Sequence, residues 1–155
     1  MCYDLDLQRR WTEWTMALLD CIDGTARALY DSYEYLRATY GEKHESWERT
    51  ATMMLAILPR LEELFAEREV WGLVSHYRLC LLSRRDFRAR RHVTVGADAR
   101  GYHVTYLLHR EGTPWPGVEV WETLDGVEAT LASLPMFIER SEGWKPDGDF
   151  RWKHS

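Results

Sequence analysis

Apolar side chains recur at every third or fourth position through the first part of the chain, which is the spacing of one buried face of an α-helix. Two runs follow this spacing. The first is Trp11, Trp14, Leu18, Ile22, Ala26, Leu29, Tyr33, Leu36 and Tyr40, and the second is Trp47, Ala51, Met54, Leu58, Leu61 and Phe65. A short polar loop joins them, so we predict an antiparallel helical hairpin over about residues 7–68.

The period shortens from 3.6 residues to 2 after Trp71, as expected for half-buried β-strands. Alternating segments occupy residues 73–82, 87–95, 102–109 and, more briefly, 118–122. The turn-forming stretches GADARG and GTPWPG separate the last three segments. We therefore predict a four-stranded antiparallel meander sheet over about residues 72–122.

Helical spacing returns in the stretch DGVEATLASLPMFIERS, where Asp125 can cap a helix over about residues 125–140. The following residues, 142–155, still contain aromatic side chains, namely Trp144, Phe150 and Trp152. Disordered tails are usually poor in aromatic residues. We therefore expect this aromatic tail to dock on the body of the protein or on a partner.

These segments together predict a single α+β domain over residues 1–155, with the helical hairpin and the C-terminal helix packed on one face of the sheet. A length of 155 residues with 45% hydrophobic and 29% charged residues is typical of one soluble globular domain. The sequence contains neither an apolar signal core nor an apolar run of about 18 residues, so we expect no membrane partner.

The three cysteines are Cys2, Cys21 and Cys80. Their number is odd, and their wide spacing forms neither a CxxC pair nor a disulfide framework. This pattern favours the reducing cytosol, and we expect a cytoplasmic protein.

Charge changes the picture, because it is divided among the segments. The net charge is −5 overall, but it is −6 over residues 1–70, +5 over residues 71–111 and −4 over residues 112–155. The positive charge is concentrated in SRRDFRARRHVTV, residues 83–95, which places five arginines in eight positions. The excess therefore belongs to the predicted strands and their turns.

Strand alternation predicts where these cations lie. We pair Val95 with Tyr102 and Leu81 with Phe87, which puts apolar residues on the helix side and polar residues on the other face. If Val118 and Val120 point inward, Glu119 and Trp121 point to that polar face. The partner-binding residues predicted there are Arg78, Arg88, Arg90, His92, His103, Thr105 and Trp121.

Like charges opposed across strands destabilise a sheet, so an anion should relieve them. Glu119 and the acidic helices could supply it internally, or an external partner could. Nucleic acid is disfavoured as that partner, since 25 acidic groups oppose it, lysines number only three, and no known nucleic-acid-binding signature occurs.

The sequence also lacks a motif for a metal site or for a catalytic nucleophile. His92 and His103 could lie close together, but no third ligand accompanies them, so we expect neither a metal nor a cofactor. The sequence has no GxSxG, HExxH or P-loop, and Cys80 lies among leucines as a small hydrophobe would. We therefore expect no enzymatic activity.

The remaining interpretation is a protein that binds another protein. Eight Trp and eight Tyr residues offer anchors for an interface, and separated charge patches favour fast association. An immunity- or inhibitor-type protein that neutralises a toxin or an enzyme has these properties. Two alternatives stay open: a nucleic-acid- or nucleotide-binding regulator that uses the arginine-rich strands, and a structural homodimer. The chain could be a monomer or a homodimer.

Overall fold

The computed structural model describes residues 18–86, 93–108 and 118–141. Within these ranges the chain is α+β, with three helices and six strands. In chain order the elements are β1 (Leu19–Asp20), α1 (Arg27–Tyr40), α2 (Glu45–Leu64), β2 (Trp71–Ser75), β3 (Arg78–Leu82), β4 (Val93–Asp98), β5 (Gly101–Leu108), β6 (Val118–Leu124) and α3 (Val127–Arg140). The aromatic tail, residues 142–155, lies outside the described residues.

The six strands form one sheet in the order β1-β2-β3-β4-β5-β6. β1 runs parallel to β2, and every other neighbouring pair is antiparallel. The prediction of a four-stranded antiparallel sheet was therefore wrong in strand number and in being purely antiparallel. The meander itself is present, since β2 to β6 are neighbours both in sequence and in space.

One cause of the miscount is a turn inside the segment predicted as a single strand over residues 73–82. His76 and Tyr77 have φ values of 51° and 61°, the left-handed pair that a two-residue hairpin turn requires. Neither residue is Gly, Asn or Asp, so the sequence carried no turn signal. Tertiary contacts hold the strained pair: the Tyr33 hydroxyl donates to the Tyr77 carbonyl at 3.3 Å, and the Trp47 and Tyr77 rings lie 5.1 Å apart.

The second cause is the start of the first helix. Residues predicted as helical form β1 instead, and α1 begins only at Arg27. The Asp20 carboxylate accepts the backbone N–H groups of Ile22 and Asp23 at 2.9 and 2.7 Å, which closes a turn and leaves Ile22 68% exposed. The hydrogen bonds from these N–H groups to the Asp20 side chain replace the backbone hydrogen bonds that a helix would need here.

The helices and the sheet enclose the core, as the predicted packing requires. Tyr30 near the start of α1 donates to Glu62 near the end of α2, so these two helices run in opposite directions, although they span less than the predicted residues 7–68. The Tyr102 hydroxyl donates to the Met53 carbonyl of α2, and Phe137 of α3 stacks on Tyr106. All three helices pack on one face of the sheet, and their core partners there are Gly72, Val74, Leu79, Leu81, Val93, Val95, Tyr102, Val104 and Tyr106.

The strand register differs from the predicted one by an even number of residues. Val95 pairs with Val104 rather than with Tyr102, and Leu81 pairs with Val93 rather than with Phe87. Because the side-chain period is 2, an even shift changes the neighbours but keeps the side chains of β3, β4 and β5 on their predicted faces. Leu73 of β2 does change face, because the turn at His76 and Tyr77 pairs it with Cys80, and Val74 packs on the core instead.

No helix among the described residues has the length and apolar character needed to cross a membrane.

Candidate functional site

The face of the sheet opposite the helices, which we call the polar face, carries Arg78, Cys80, Thr94, His103, Thr105, Leu107, Glu119, Trp121 and Thr123. Towards β1 the same face carries the apolar side chains Trp71, Leu73 and Leu82, which cluster with Leu19 and Cys21. No described helix packs on it. A concavity of about 490 Å³ opens on this face, with a polar lining that comes from Ser75, His76, Arg78, Thr94, Thr105 and Glu119. This is a volume typical of ligand-sized clefts.

Two long side chains meet above the middle of the polar face. Arg78 lies on β3 and Trp121 on β6, so two strands separate them and their strand axes are about 14 Å apart. The Arg78 guanidinium carbon nevertheless lies 4.7 Å from the centroid of the Trp121 ring, a cation–π contact. Trp121 remains 44% exposed.

Gly96 on β4 lies directly beneath the Arg78 side chain on its way to Trp121. A Cβ atom at Gly96 would lie 3.3 Å from the Arg78 Cγ and 3.8 Å from its Cδ and Nε. Because Gly96 has no side chain, the aliphatic part of Arg78 lies across β4 in the space that a side chain would fill. We call this space the Gly96 channel. A glycine inside a strand often marks such a close approach.

His103 supports Trp121 from the next strand. It pairs with Gly96 on one side and with Thr123 on the other, and it is 7% exposed. The His103 and Trp121 ring centroids are 5.7 Å apart. The His103 Nε2 lies 2.7 Å from an Asp98 carboxylate oxygen, but off the hydrogen-bonding direction, so the contact is electrostatic rather than a well-aligned hydrogen bond.

Asp98 is the last residue of β4, and its carboxylate contacts Arg100 and His103. Burial opposes its ionisation, but the backbone N–H of Arg100 at 2.7 Å, the Arg100 guanidinium at 3.1 Å and the contact with His103 outweigh that effect. Together they lower the pKa of Asp98 to about 2. His103 is thus held against a carboxylate that stays ionised at neutral pH.

Asp98→Asn is expected to cost less than about 1 kcal/mol at pH 7, because the Asp98 side chain is 40% exposed and its interactions are screened. A depressed pKa stabilises the fold above the unfolded value of 3.8, and this contribution disappears as the pH falls through about 2. Urea unfolding of both proteins should therefore give curves that differ at pH 7 and converge towards pH 2. Asp31→Asn, in the exposed Arg27 pair, is the control for losing a surface charge. A difference that persists undiminished at pH 2 would contradict the assignment.

The predicted site residues divide into two groups. Arg78, His103, Thr105 and Trp121 share the polar face, and Thr105 pairs directly with both Thr94 and Trp121. The others, Arg88, Arg90 and His92, lie outside the described residues. Val120 packs against the core and leaves Glu119 and Trp121 on the polar face, which confirms that prediction.

Sequence reasoning missed three residues of this site, Gly96, Asp98 and Arg100. The signal for Gly96 was its place inside an otherwise alternating strand. The signal for Asp98 and Arg100 was their spacing, since an Asp often binds the backbone N–H two residues further on in a turn. The contact of Asp98 with His103 depends on a strand register that the sequence did not specify.

One arginine of the 83–95 stretch has a structural role. The Arg85 guanidinium donates to the backbone carbonyls of Cys21 and Ile22 at 3.0 and 3.1 Å and lies 5.2 Å from the Trp71 ring centroid. It ties the loop after β3 to the segment around β1. Part of the arginine-rich stretch therefore stabilises the fold.

Internal neutralisation of Arg78 is not seen among the described residues. The helix carboxylates Glu45, Glu63 and Glu128 pair with arginines of α2, and Asp31 pairs with Arg27. Glu119 lines the concavity with Arg78, but no described Asp or Glu, Glu119 included, forms an ion pair with it. Arg78 instead contacts the Trp121 ring and lies in the Gly96 channel.

The described residues contain no cluster of three His, Cys, Asp or Glu side chains that could hold a metal ion. Burial, with a smaller contribution from Asp20, raises the pKa of the Cys21 thiol, which disfavours the thiolate. The Ser75 hydroxyl lies 3.2 Å from the His76 Nδ1, but no described carboxylate forms an ion pair with His76 to orient it as a base.

None of the known protein-family models, curated proteins and solved structures gives a significant match to this chain.

Proposed function

We propose that this protein binds another protein through its polar face and acts as an immunity- or inhibitor-type protein that neutralises a toxin or an enzyme. The observation that supports the proposal is the state of Trp121. Its ring is 44% exposed, yet Arg78 and His103 already hold its orientation. Exposed tryptophans are frequent hot spots of protein interfaces, and a fixed orientation lowers the entropy lost on binding.

The surroundings of Trp121 fit a protein partner better than a nucleic acid. Single-stranded nucleic acids bind sheets by stacking bases on free aromatic faces. The Arg78 guanidinium already covers the Trp121 ring at 4.7 Å. Asp98 and Glu119 also place carboxylates on or beside the polar face, and a phosphate backbone would be repelled by them.

A neutralising protein must bind tightly and quickly. The preformed arrangement of Arg78, Trp121 and His103 favours affinity, since these side chains need little ordering when a partner arrives. Net charges of −6 for residues 1–70 and +5 for residues 71–111 separate the two signs along the chain. Such separation favours electrostatic steering of a partner towards one face.

Trp121→Ala is expected to weaken the complex with the neutralised protein by about 2 kcal/mol, or roughly thirtyfold in Kd. The candidate partner is the product of the neighbouring gene, purified after co-expression with this chain. Calorimetry would give the Kd, and inhibition of the partner's activity or toxicity would give the function. The matched control is Tyr35→Ala on α1, which removes an aromatic ring that is 61% exposed on the helix side.

Equal losses for the Trp121 and Tyr35 variants would contradict a specific role for the polar face. Binding without inhibition would retain protein binding and reject the neutralising role. A complex that dissolves when nuclease is added would favour the nucleic-acid alternative.

A further inference from the structure

The position of Arg78 specifies more than an interface. A guanidinium group is planar, and its five N–H donors lie in that plane. The Arg78 guanidinium carbon lies 4.7 Å from the centroid of the Trp121 ring, and no described residue accepts a hydrogen bond from its N–H groups. These donors remain available to an acceptor on a bound partner.

The described part of the chain does not provide that acceptor as a carboxylate. Four other arginines, Arg27, Arg49, Arg60 and Arg100, each have an Asp or Glu partner. Arg78 has none among the described residues, and Asp98 on the same face is already engaged by Arg100 and His103. The chain thus positions a cation with which no described acid forms a direct ion pair.

Polar side chains line part of the space beside Arg78, together with Cys80, Tyr106 and Leu107. The concavity of about 490 Å³ is lined next to Arg78 by Ser75 and His76, and Thr94 and Thr105 lie across its floor. Hydroxyl and imidazole groups can donate further hydrogen bonds to an oxyanion. The volume accommodates the tip of a loop with its side chains rather than a single ion.

We infer that Arg78 receives one carboxylate side chain, an Asp or Glu of the bound protein, and that Gly96 is the residue that positions Arg78 to do so. This inference rests on the proposed protein-binding function and adds the chemical group that is recognised. The guanidinium binds the two carboxylate oxygens through parallel N–H donors, and the hydroxyls of Thr94 and Thr105 lie within the same concavity.

A carboxylate fits this location better than a phosphate monoester does. Both groups match the geometry of a guanidinium. Glu119 lines the same concavity, and Asp98 lies within reach of His103, which contacts Trp121. These negative charges oppose a phosphate monoester, which carries about −1.5 to −2, more strongly than a single negative charge. A phosphodiester carries a single charge, as a carboxylate does, so an oligonucleotide probe must distinguish these two groups.

The inference can be tested without knowing the partner. The probes are a blocked peptide that contains glutamates, the same peptide with glutamines, and a short thymidine oligonucleotide. The measurement is the indole N–H resonance of Trp121 in protein labelled with ¹⁵N-tryptophan, identified by its loss in Trp121→Phe. In the wild-type protein the glutamate peptide should shift this resonance saturably, and the glutamine peptide should not.

Substitutions can test separately whether binding needs the charge of Arg78, the geometry of its guanidinium group and its position on the polar face. Arg78→Gln should abolish the shift, and Arg78→Lys should weaken binding roughly tenfold, because an ammonium group cannot make the paired contact. Gly96→Ala should weaken it as well, since the new Cβ would lie 3.3 Å from the Arg78 Cγ and displace the stem. Arg27→Gln on α1 removes the same charge far from the site and should change nothing.

Each contrary result has a defined meaning. A response to the glutamine peptide equal to that of the glutamate peptide, or no response to either, overturns carboxylate recognition. Tighter binding of the oligonucleotide than of the glutamate peptide overturns it in favour of phosphate. An undiminished response in folded Gly96→Ala overturns the positioning role of Gly96, and if that variant does not fold, Arg78→Lys against Arg78→Gln tests the geometry instead.

The complex with the protein partner distinguishes this inference from the proposed function. If both Trp121→Ala and Arg78→Gln weaken that complex by tenfold or more, both are supported. If only Trp121→Ala weakens it, the polar face binds the partner but the carboxylate inference is wrong. If neither weakens it, the proposed use of the polar face is wrong, whatever the peptide does.

Discussion

Gly101→Ala is expected to lower the free energy of unfolding by about 4 kcal/mol, as the sum of backbone strain and a steric clash. Gly101 begins β5 with φ of +130°, a conformation that costs an L-residue about 1–3 kcal/mol. A Cβ atom there would also lie 2.5 Å from the Leu124 carbonyl oxygen, a backbone atom of β6. The β5 and β6 strands would therefore have to separate at this end.

Gly126→Ala is the matched control for this prediction. Gly126 has φ of +98°, but a Cβ atom there would meet nothing within 4 Å. It should show the strain alone, at about 1–2 kcal/mol. Urea unfolding of the two variants would measure the difference, and equal losses would mean that the clash with Leu124 contributes nothing.

The Gly101 substitution should also disturb the polar face. The turn before Gly101 carries Asp98 and Arg100, and the β5–β6 pairing aligns His103 and Trp121. A shift of β6 would change the distance between Trp121 and Arg78. The Trp121 indole resonance should therefore move in Gly101→Ala and stay in place in Gly126→Ala.

Phe137→Ala is the second substitution expected to have a large effect, again about 4 kcal/mol, because deleting a buried phenylalanine removes apolar contacts and leaves a cavity. Phe137 lies on α3, is 3% exposed, and stacks on Tyr106 of β5 with ring centroids 4.9 Å apart and planes 20° apart. The aromatic pair anchors α3 to β5, next to the edge strand β6.

Met136→Ala provides the control for this prediction. Met136 is the neighbouring residue of α3 but is 42% exposed, so its truncation should cost no more than about 0.5 kcal/mol. Thermal and urea unfolding would measure both variants. A loss below about 1.5 kcal/mol for Phe137→Ala would show that α3 is not anchored by this stack.

Phe137→Ala also tests whether stability and partner binding depend on opposite faces of the sheet. Phe137 packs on the helix side of the sheet, whereas Arg78 and Trp121 lie on the polar face. Below its melting temperature, Phe137→Ala should bind the partner as the wild-type protein does. Trp121→Ala should do the reverse, with nearly unchanged stability and weakened binding, because Trp121 is partly exposed.

Much of the fold could be predicted from hydrophobic spacing. The helical period placed Leu29, Tyr33 and Leu36 in the core, and all three are buried. The predicted C-terminal helix over residues 125–140 is present as Val127–Arg140. These predictions succeeded because burial of one face is a local property, repeated along each element.

The site was predictable only as a set of residues that share a face. Alternation placed Arg78, His103, Thr105 and Trp121 on the polar side, where the structure also has them. It could not predict that Arg78 crosses β4 to reach Trp121. That contact needs Gly96 on the intervening strand and a register in which Gly96 pairs with His103.

The sequence by itself determined α2, α3, most of α1 and the inward faces of β3, β4 and β5, since periods of 3.6 and 2 indicate which side chains must leave water. Three features were decided only by the tertiary structure: the parallel β1, the left-handed turn at His76 and Tyr77, and the register of β3 on β4. Each depends on partners far away in sequence, such as Tyr33 for the turn. An even register shift leaves every face unchanged, so hydrophobic pattern cannot choose between such registers, and only packing against the rest of the fold can.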